Sequence, residues 1–169
     1  MPEGNLRSTL RILSENQVDF ILVGGLAAVL QGVPLSTYDV DIVHSRQALN
    51  IHRLLSVLET LDAIFRMQPE RRLKPNASHL SGQGHVNLVT RLGSLDVLGT
   101  IGNGLSYEQL LPYSESMDLE NGLEIRVLGL EKLIELKEEI GGEKDRAMLP
   151  LLRRALEEKR RSERVGGGP

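Results

Sequence analysis

Residues Ile21 to Val43 read ILVGGLAAVLQGVPLSTYDVDIV, an apolar run that ends in two glycines and is followed by a pair of aspartates one residue apart. The compact run Val18 to Val23 reads as a buried strand that stops at Gly24-Gly25. A short helix is expected from Leu26 to about Gln31, where Gly32-Val33-Pro34 ends it. Tyr38 to Val43 reads as a second strand. On a strand, residues i and i+2 point to the same side, so Asp39 and Asp41 share one face with Val43 while Tyr38, Val40 and Ile42 take the other.

Two carboxylates on one face repel, and one tends to take a proton unless a cation lies between them. A divalent metal removes that conflict. Hard oxygen ligands favour Mg²⁺, which keeps several waters and takes one or two protein carboxylates together with substrate phosphates. The glycine turn is complementary. Without Cβ atoms it lets a bulky anion approach the backbone, and the first N–H groups of the following helix point at it. Strand, glycine turn, helix and paired acids are together the parts that grip a nucleoside triphosphate.

Around this centre the chain reads as a mixed sheet flanked by helices. Leu6, Leu10 and Leu13 fall at helical spacing, which predicts an amphipathic helix over Asn5 to Glu15. Ala48 to Leu61 predicts a second long helix, crossing back to a short strand at Ala63 to Met67. Gln68 to Gly84 reads as a polar loop carrying Arg71, Arg72 and Lys74, a basic cluster that either solubilises the loop or meets a nucleic-acid acceptor. His85 to Thr90 and Ser94 to Leu98 predict a hairpin. Ser114 to Leu119 and Leu123 to Val127 predict another, turned at Asn121-Gly122. From Gly129 the period is helical: one helix reaches about Ile140, Gly141-Gly142 breaks it, and a second runs to about Arg161 with Pro150 as a possible interruption. This gives an α/β (α+β) core over residues 1–128, a C-terminal helical hairpin packed on it over 129–164, and a tail at 165–169 expected to be disordered.

Composition sets bounds. The 169 residues suffice for one domain with a real core. With no cysteine there is no thiolate nucleophile and no Cys-based zinc site, which suits a reducing compartment. The net charge of −3 excludes a surface that is basic throughout. The longest apolar run, Phe20 to Leu30, contains two glycines and is too short to span a bilayer, and no signal-peptide pattern opens the chain. A cytoplasmic protein with no membrane partner is expected.

Gly24-Gly25, a short helix, and then Ser36-Thr37-Tyr38-Asp39-Val40-Asp41-Ile42 resembles the signature of the nucleotidyltransferase superfamily that includes DNA polymerase β, in which a glycine turn is followed about a dozen residues later by Asp-x-Asp. Within it the chain is similar to small bacterial nucleotidyltransferases of the abortive-infection and toxin–antitoxin type. The segment Leu130 to Lys137 and the Lys144-Asp145 pair resemble that group's closing segment. The resemblance implies a third carboxylate on a later strand. Asp96, framed by Leu95 and Val97, is the candidate, and its alternative role is an edge-strand charge.

The resemblance further implies catalysis by Asp39, Asp41 and Asp96, which would also be the metal ligands for Mg²⁺. Gly24, Gly25, Ser36, Thr37 and Lys137 would meet the nucleotide. The expected reaction moves a nucleoside monophosphate from an NTP to an acceptor hydroxyl on protein, tRNA or a small molecule. The rival is a catalytically silent protein of the same fold that binds a partner in a toxin–antitoxin or defence module. Two positions depart from the pattern: Leu35 stands where a basic residue is common, and Met148 where an acid is.

Overall fold

The computed structural model describes residues 2–167. A seven-stranded mixed sheet has the order β3-β4-β5-β2-β1-β9-β8, formed by β1 (Phe20–Val23), β2 (Val40–His44), β3 (Ile64–Phe65), β4 (His85–Thr90), β5 (Gly93–Leu98), β8 (Ser114–Leu119) and β9 (Leu123–Leu128). Two neighbour pairs, β1 with β9 and β2 with β5, are parallel. The other four are antiparallel. A small separate pair, β6 (Thr100–Ile101) and β7 (Leu105–Ser106), forms in the glycine-rich link after β5.

The alternation in β2 divides the sheet's work. Val40 and Ile42 are buried on the core side, where Leu22, Val97 and Leu88 on neighbouring strands are fully buried with them. Burying side chains of this size stabilises a fold by roughly 1.5–3 kcal/mol each. Asp41, between Val40 and Ile42, turns to the opposite face. Helices α1 (Pro2–Glu15) and α3 (Ala48–Thr60) pack on one another, and α2 (Gly24–Leu30) lies against β1 and β2. Buried Asn50 of α3 fixes the ends of these two strands. Its side chain accepts from Asp19 N–H at 2.7 Å and donates to the carbonyls of Asp19 at 3.0 Å and Ser45 at 2.8 Å.

Several elements differ from the sequence expectation. Helix α2 begins at Gly24 itself, directly after β1. The polar segment after β3 holds a short helix, α4 (Ala77–Ser81), whose Asn76 and His79 side chains cap one another's backbone N–H at 3.1 and 3.0 Å. The short helix that the sequence places at Tyr107 to Leu111, after the glycine-rich link, is present as α5 (Tyr107–Leu110) and precedes β8. The C-terminal hairpin is α6 (Leu130–Ile140) and α7 (Glu143–Gly166), joined at Gly141 with φ +65°. Helix α7 runs unbroken through Pro150, whose exposed position leaves the carbonyl that loses its partner open to water. It also takes up the first residues of the expected tail, while 168–169 lie outside the described residues. No described helix is long and apolar enough to cross a membrane.

Candidate active site

The site is a polar row crossing four strands at equal register. Asp41 on β2 stands beside Asp96 on parallel β5. Asp96 in turn faces Asn87 on β4. Arg66, just past β3, donates its backbone N–H to the Asn87 carbonyl at 3.0 Å. Its guanidinium Nη2 reaches Asp96 Oδ1 at 3.0 Å.

On the other side of Asp41, antiparallel pairing sets it opposite Val23, the last residue of β1. The chain then turns through Gly24 at φ +70°. A Cβ on Gly24 would collide with the Asp41 carboxylate, lying 3.1 Å from its Cγ. Both the left-handed backbone and the close approach therefore require glycine. Gly25 sits against Thr37 in the same way, with a Cβ position 3.2 Å from Thr37 Oγ1. Gly24, Gly25, Thr37, Asp41 and Asp96 are thus gathered at one place by β1, α2, β2 and β5.

Burial is the first reason that the Asp41 carboxyl is pushed up to about 7. A hydrogen bond with Asp96 and the negative charges of Asp96 and Asp39 act in the same direction, and the Arg66 guanidinium opposes them. Asp96 is only 16% exposed at its side chain, and its Oδ1 is buried with no hydrogen-bond donor. The Arg66 nitrogen is close enough for an ion pair, but its N–H is not aimed at that oxygen. A carboxyl that resists ionisation beside a buried oxygen lacking a donor is a donor set suited to a hard divalent cation, and the pair fits Mg²⁺ on that ground.

Asp39 has a different standing. It precedes β2 on an exposed stretch with Ser36 and Tyr38, close enough to act on Asp41 through its charge. Among the described residues no three His, Cys, Asp or Glu side chains are clustered closely enough to hold a metal. The aspartate set expected from the sequence is here a pair, Asp41 and Asp96, with Asp39 beside it. Lys137 lies on α6, where its Nζ donates to Asp145 Oδ1 at 2.8 Å across the turn into α7. Its own helix holds no acid at pairing distance, so this partner, eight residues on, escaped the sequence reading.

Several of the remaining charged candidates have structural partners. Arg72 pairs with Asp62 at 2.9 Å and Arg71 with Gln68 at 3.2 Å. Lys159 donates to both Glu115 oxygens at 2.8 Å, and Arg160 pairs with Glu131, so the basic end of α7 is fastened to β8 and α6. Leu35 and Met148, the two departures, pack partly buried against the core. Buried His44 lies with Nε2 2.7 Å from the Leu80 carbonyl and Nδ1 3.2 Å from that of Leu98, and burial lowers its proton affinity. Arg66 is the site residue that the sequence reading missed. Its one local sign was a charge at the end of the short apolar run Ala63 to Phe65.

No protein-family model matches the chain, and no curated protein matches it in sequence. Among solved structures it is similar to TM1012 from Thermotoga maritima, a provisionally assigned nucleotidyltransferase, at 20% identity and a TM-score of 0.54 over 90% of this chain and 91% of that one. The strand order, the glycine turn beneath Asp41 and this similarity along nearly the whole length agree. The chain is built on the nucleotidyltransferase fold.

Proposed function

We propose that the protein is a Mg²⁺-dependent nucleotidyltransferase that moves a nucleoside monophosphate from an NTP to an acceptor hydroxyl. The observation that carries this reading is the Asp41–Asp96 pair, held side by side by the β2–β5 register over a glycine that leaves room for nothing larger. Asp41 and Asp96 would hold the ion, with Asp39 adding negative charge nearby. Bound there, Mg²⁺ would supply charge neutralisation for the triphosphate.

The chain's own groups do the rest. The bare backbone of Gly24 and Gly25 admits a phosphate close to the start of α2, and the Thr37 hydroxyl beside Gly25 is placed to donate to a phosphate oxygen. Asp96 accepts the proton of the attacking hydroxyl. The new bond joins the acceptor oxygen to the α-phosphorus, the bond from that phosphorus to the β-phosphate bridge breaks, and pyrophosphate leaves. Positioning and charge compensation carry almost all of such a reaction. Lys137, paired with Asp145, would serve the nucleotide only by exchanging that carboxylate for a phosphate.

A second reading has its own observation. Arg66 already pairs with Asp96, and Asp39 does not complete a three-acid cluster with Asp41 and Asp96, as suits a silent protein of this fold that binds a partner in a two-component defence or toxin–antitoxin module. Labelled NTPs with Mg²⁺, offered total tRNA, the protein itself and small hydroxyl compounds, separate the two. Transfer by the wild type that disappears in Asp41→Asn and Asp96→Asn supports the enzyme. Equal labelling by all three proteins, or none with any acceptor, removes it.

A further inference from the structure

The Arg66–Asp96 contact has an unusual combination of properties. It joins the polar row of the site, yet the Asp96 oxygen it approaches at 3.0 Å receives no hydrogen bond. Arginine–carboxylate pairs are frequently bidentate, joined by two parallel N–H groups. Here a single nitrogen approaches out of line. Asp96 is largely enclosed, whereas the Arg66 side chain is 39% exposed, so the guanidinium can withdraw into water without opening the core. Its backbone is fixed by the bond to Asn87, which restricts any displacement to the side chain. The same guanidinium acts electrostatically on Asp41, so one cation serves both carboxylates.

We propose that Arg66 is the resident counter-ion of the Asp41–Asp96 pair and competes with a divalent cation for Asp96. In the metal-free protein it holds the carboxylates together. When an ion binds, Arg66 gives up Asp96 and its guanidinium faces solvent at the mouth of the site. Arg66 is thus a positioning residue that sets the affinity of the site for its ion. This rests on the proposed function only in taking the aspartate pair as the ion's ligands.

The test is Mn²⁺ binding without nucleotide, followed at pH 7.5 by electron paramagnetic resonance for the wild type, Arg66→Gln, Arg66→Met and Arg66→Lys, with Asp41→Asn as the site control. Thermal unfolding of each protein with EDTA and with Mn²⁺ confirms folding and provides a second readout. The expected result is roughly tenfold tighter Mn²⁺ binding in the Gln and Met variants, the size of one competing charge at partly screened distance. The Lys variant should stay near the wild type. The Gln and Met variants should also unfold earlier with EDTA and gain more from Mn²⁺ than the wild type does. Binding seen only in those two variants supports the proposal equally. Mn²⁺ affinities within twofold of one another in the wild type, Gln and Met proteins overturn it, as do weaker affinities in the variants. A wild type that transfers nucleotide but shows such equality loses only the counter-ion role. Absence of Mn²⁺ binding in every protein defeats both readings.

Discussion

Replacing Asp41 with asparagine removes the acid whose ionisation the fold resists while keeping its shape and hydrogen-bonding capacity. In the folded chain the Asp41 carboxyl is pushed up to about 7 from 3.8. The sign of the linkage follows directly. A carboxyl that holds its proton more tightly when folded adds stability that is complete below its unfolded value and is lost as pH rises through its folded value. Metal-free wild type should therefore lose stability between about pH 4 and 7 from this group and level off above. At 1.36 kcal/mol for each tenfold change in proton affinity, the span from 3.8 to about 7 sets a ceiling of about 4 kcal/mol, and partial solvent access reduces the expected loss to roughly 2–3 kcal/mol. His44 works in the opposite sense, because a buried imidazole whose proton affinity is lowered costs stability as pH falls below 6.5. Subtracting the Asp41→Asn profile from the wild type's cancels the His44 contribution and isolates Asp41. Urea unfolding with EDTA at intervals from pH 4.5 to 8.5 is the assay. The variant should be more stable than the wild type by roughly 2 kcal/mol at pH 8, with the difference shrinking to about 0.5 kcal/mol near pH 4.5. A difference that does not change with pH, or a variant less stable at pH 8, refutes the argument that Asp41 is held against its ionisation.

Gly24→Ala should weaken binding of a Mg²⁺-bound NTP at least tenfold by isothermal titration and cost roughly 1 kcal/mol or more of stability, because its Cβ meets the Asp41 carboxylate at a left-handed backbone position. Gly122→Ala, at a left-handed turn with open space around it, should show strain alone and leave binding unchanged. Single and double alanine substitutions of Lys137 and Asp145 should reveal a coupling of roughly 1 kcal/mol in unfolding free energy, in keeping with a partly buried pair, and additive effects would show that the 2.8 Å contact contributes nothing.

What could be read from the sequence was what is local in the chain. The β1–glycine–α2–β2 unit is one continuous stretch in which apolar runs, a glycine pair and a Pro stop follow one another, and each signal acts within a few residues. Asp96 was legible because an acid between Leu95 and Val97 contradicts its surroundings. Arg66 was not. Its partner is thirty residues away, and only the β3–β4–β5 register, which no single segment encodes, aligns the two. The Lys137–Asp145 pair was hidden for a similar reason, since it closes across a helix break and not along one helix. Asp39 is a different case. Two-residue periodicity puts it on the Asp41 face only if the strand extends that far, and β2 begins one residue later. Helix α4 was hidden in a polar segment because its stability comes from the reciprocal Asn76–His79 caps and from His79 resting edge-on against Phe65 at 4.9 Å.

Strand β2 carries opposing demands on alternate residues. Val40 and Ile42 supply apolar burial on one face, while on the other Asp41 is forced towards Asp96 at a cost that the same burial offsets. This arrangement depends on register, since a slip of one residue would send the aspartate into the core and the isoleucine into the site. Parallel pairing with β5, antiparallel pairing with β1 and the Asn50 clamp at the strand ends all oppose that slip. The tension within the pair is therefore held by the register and eased in the ligand-free chain in part by the Arg66 guanidinium. On the function proposed above, a divalent cation that relieves it further would recover the remaining repulsion as binding free energy.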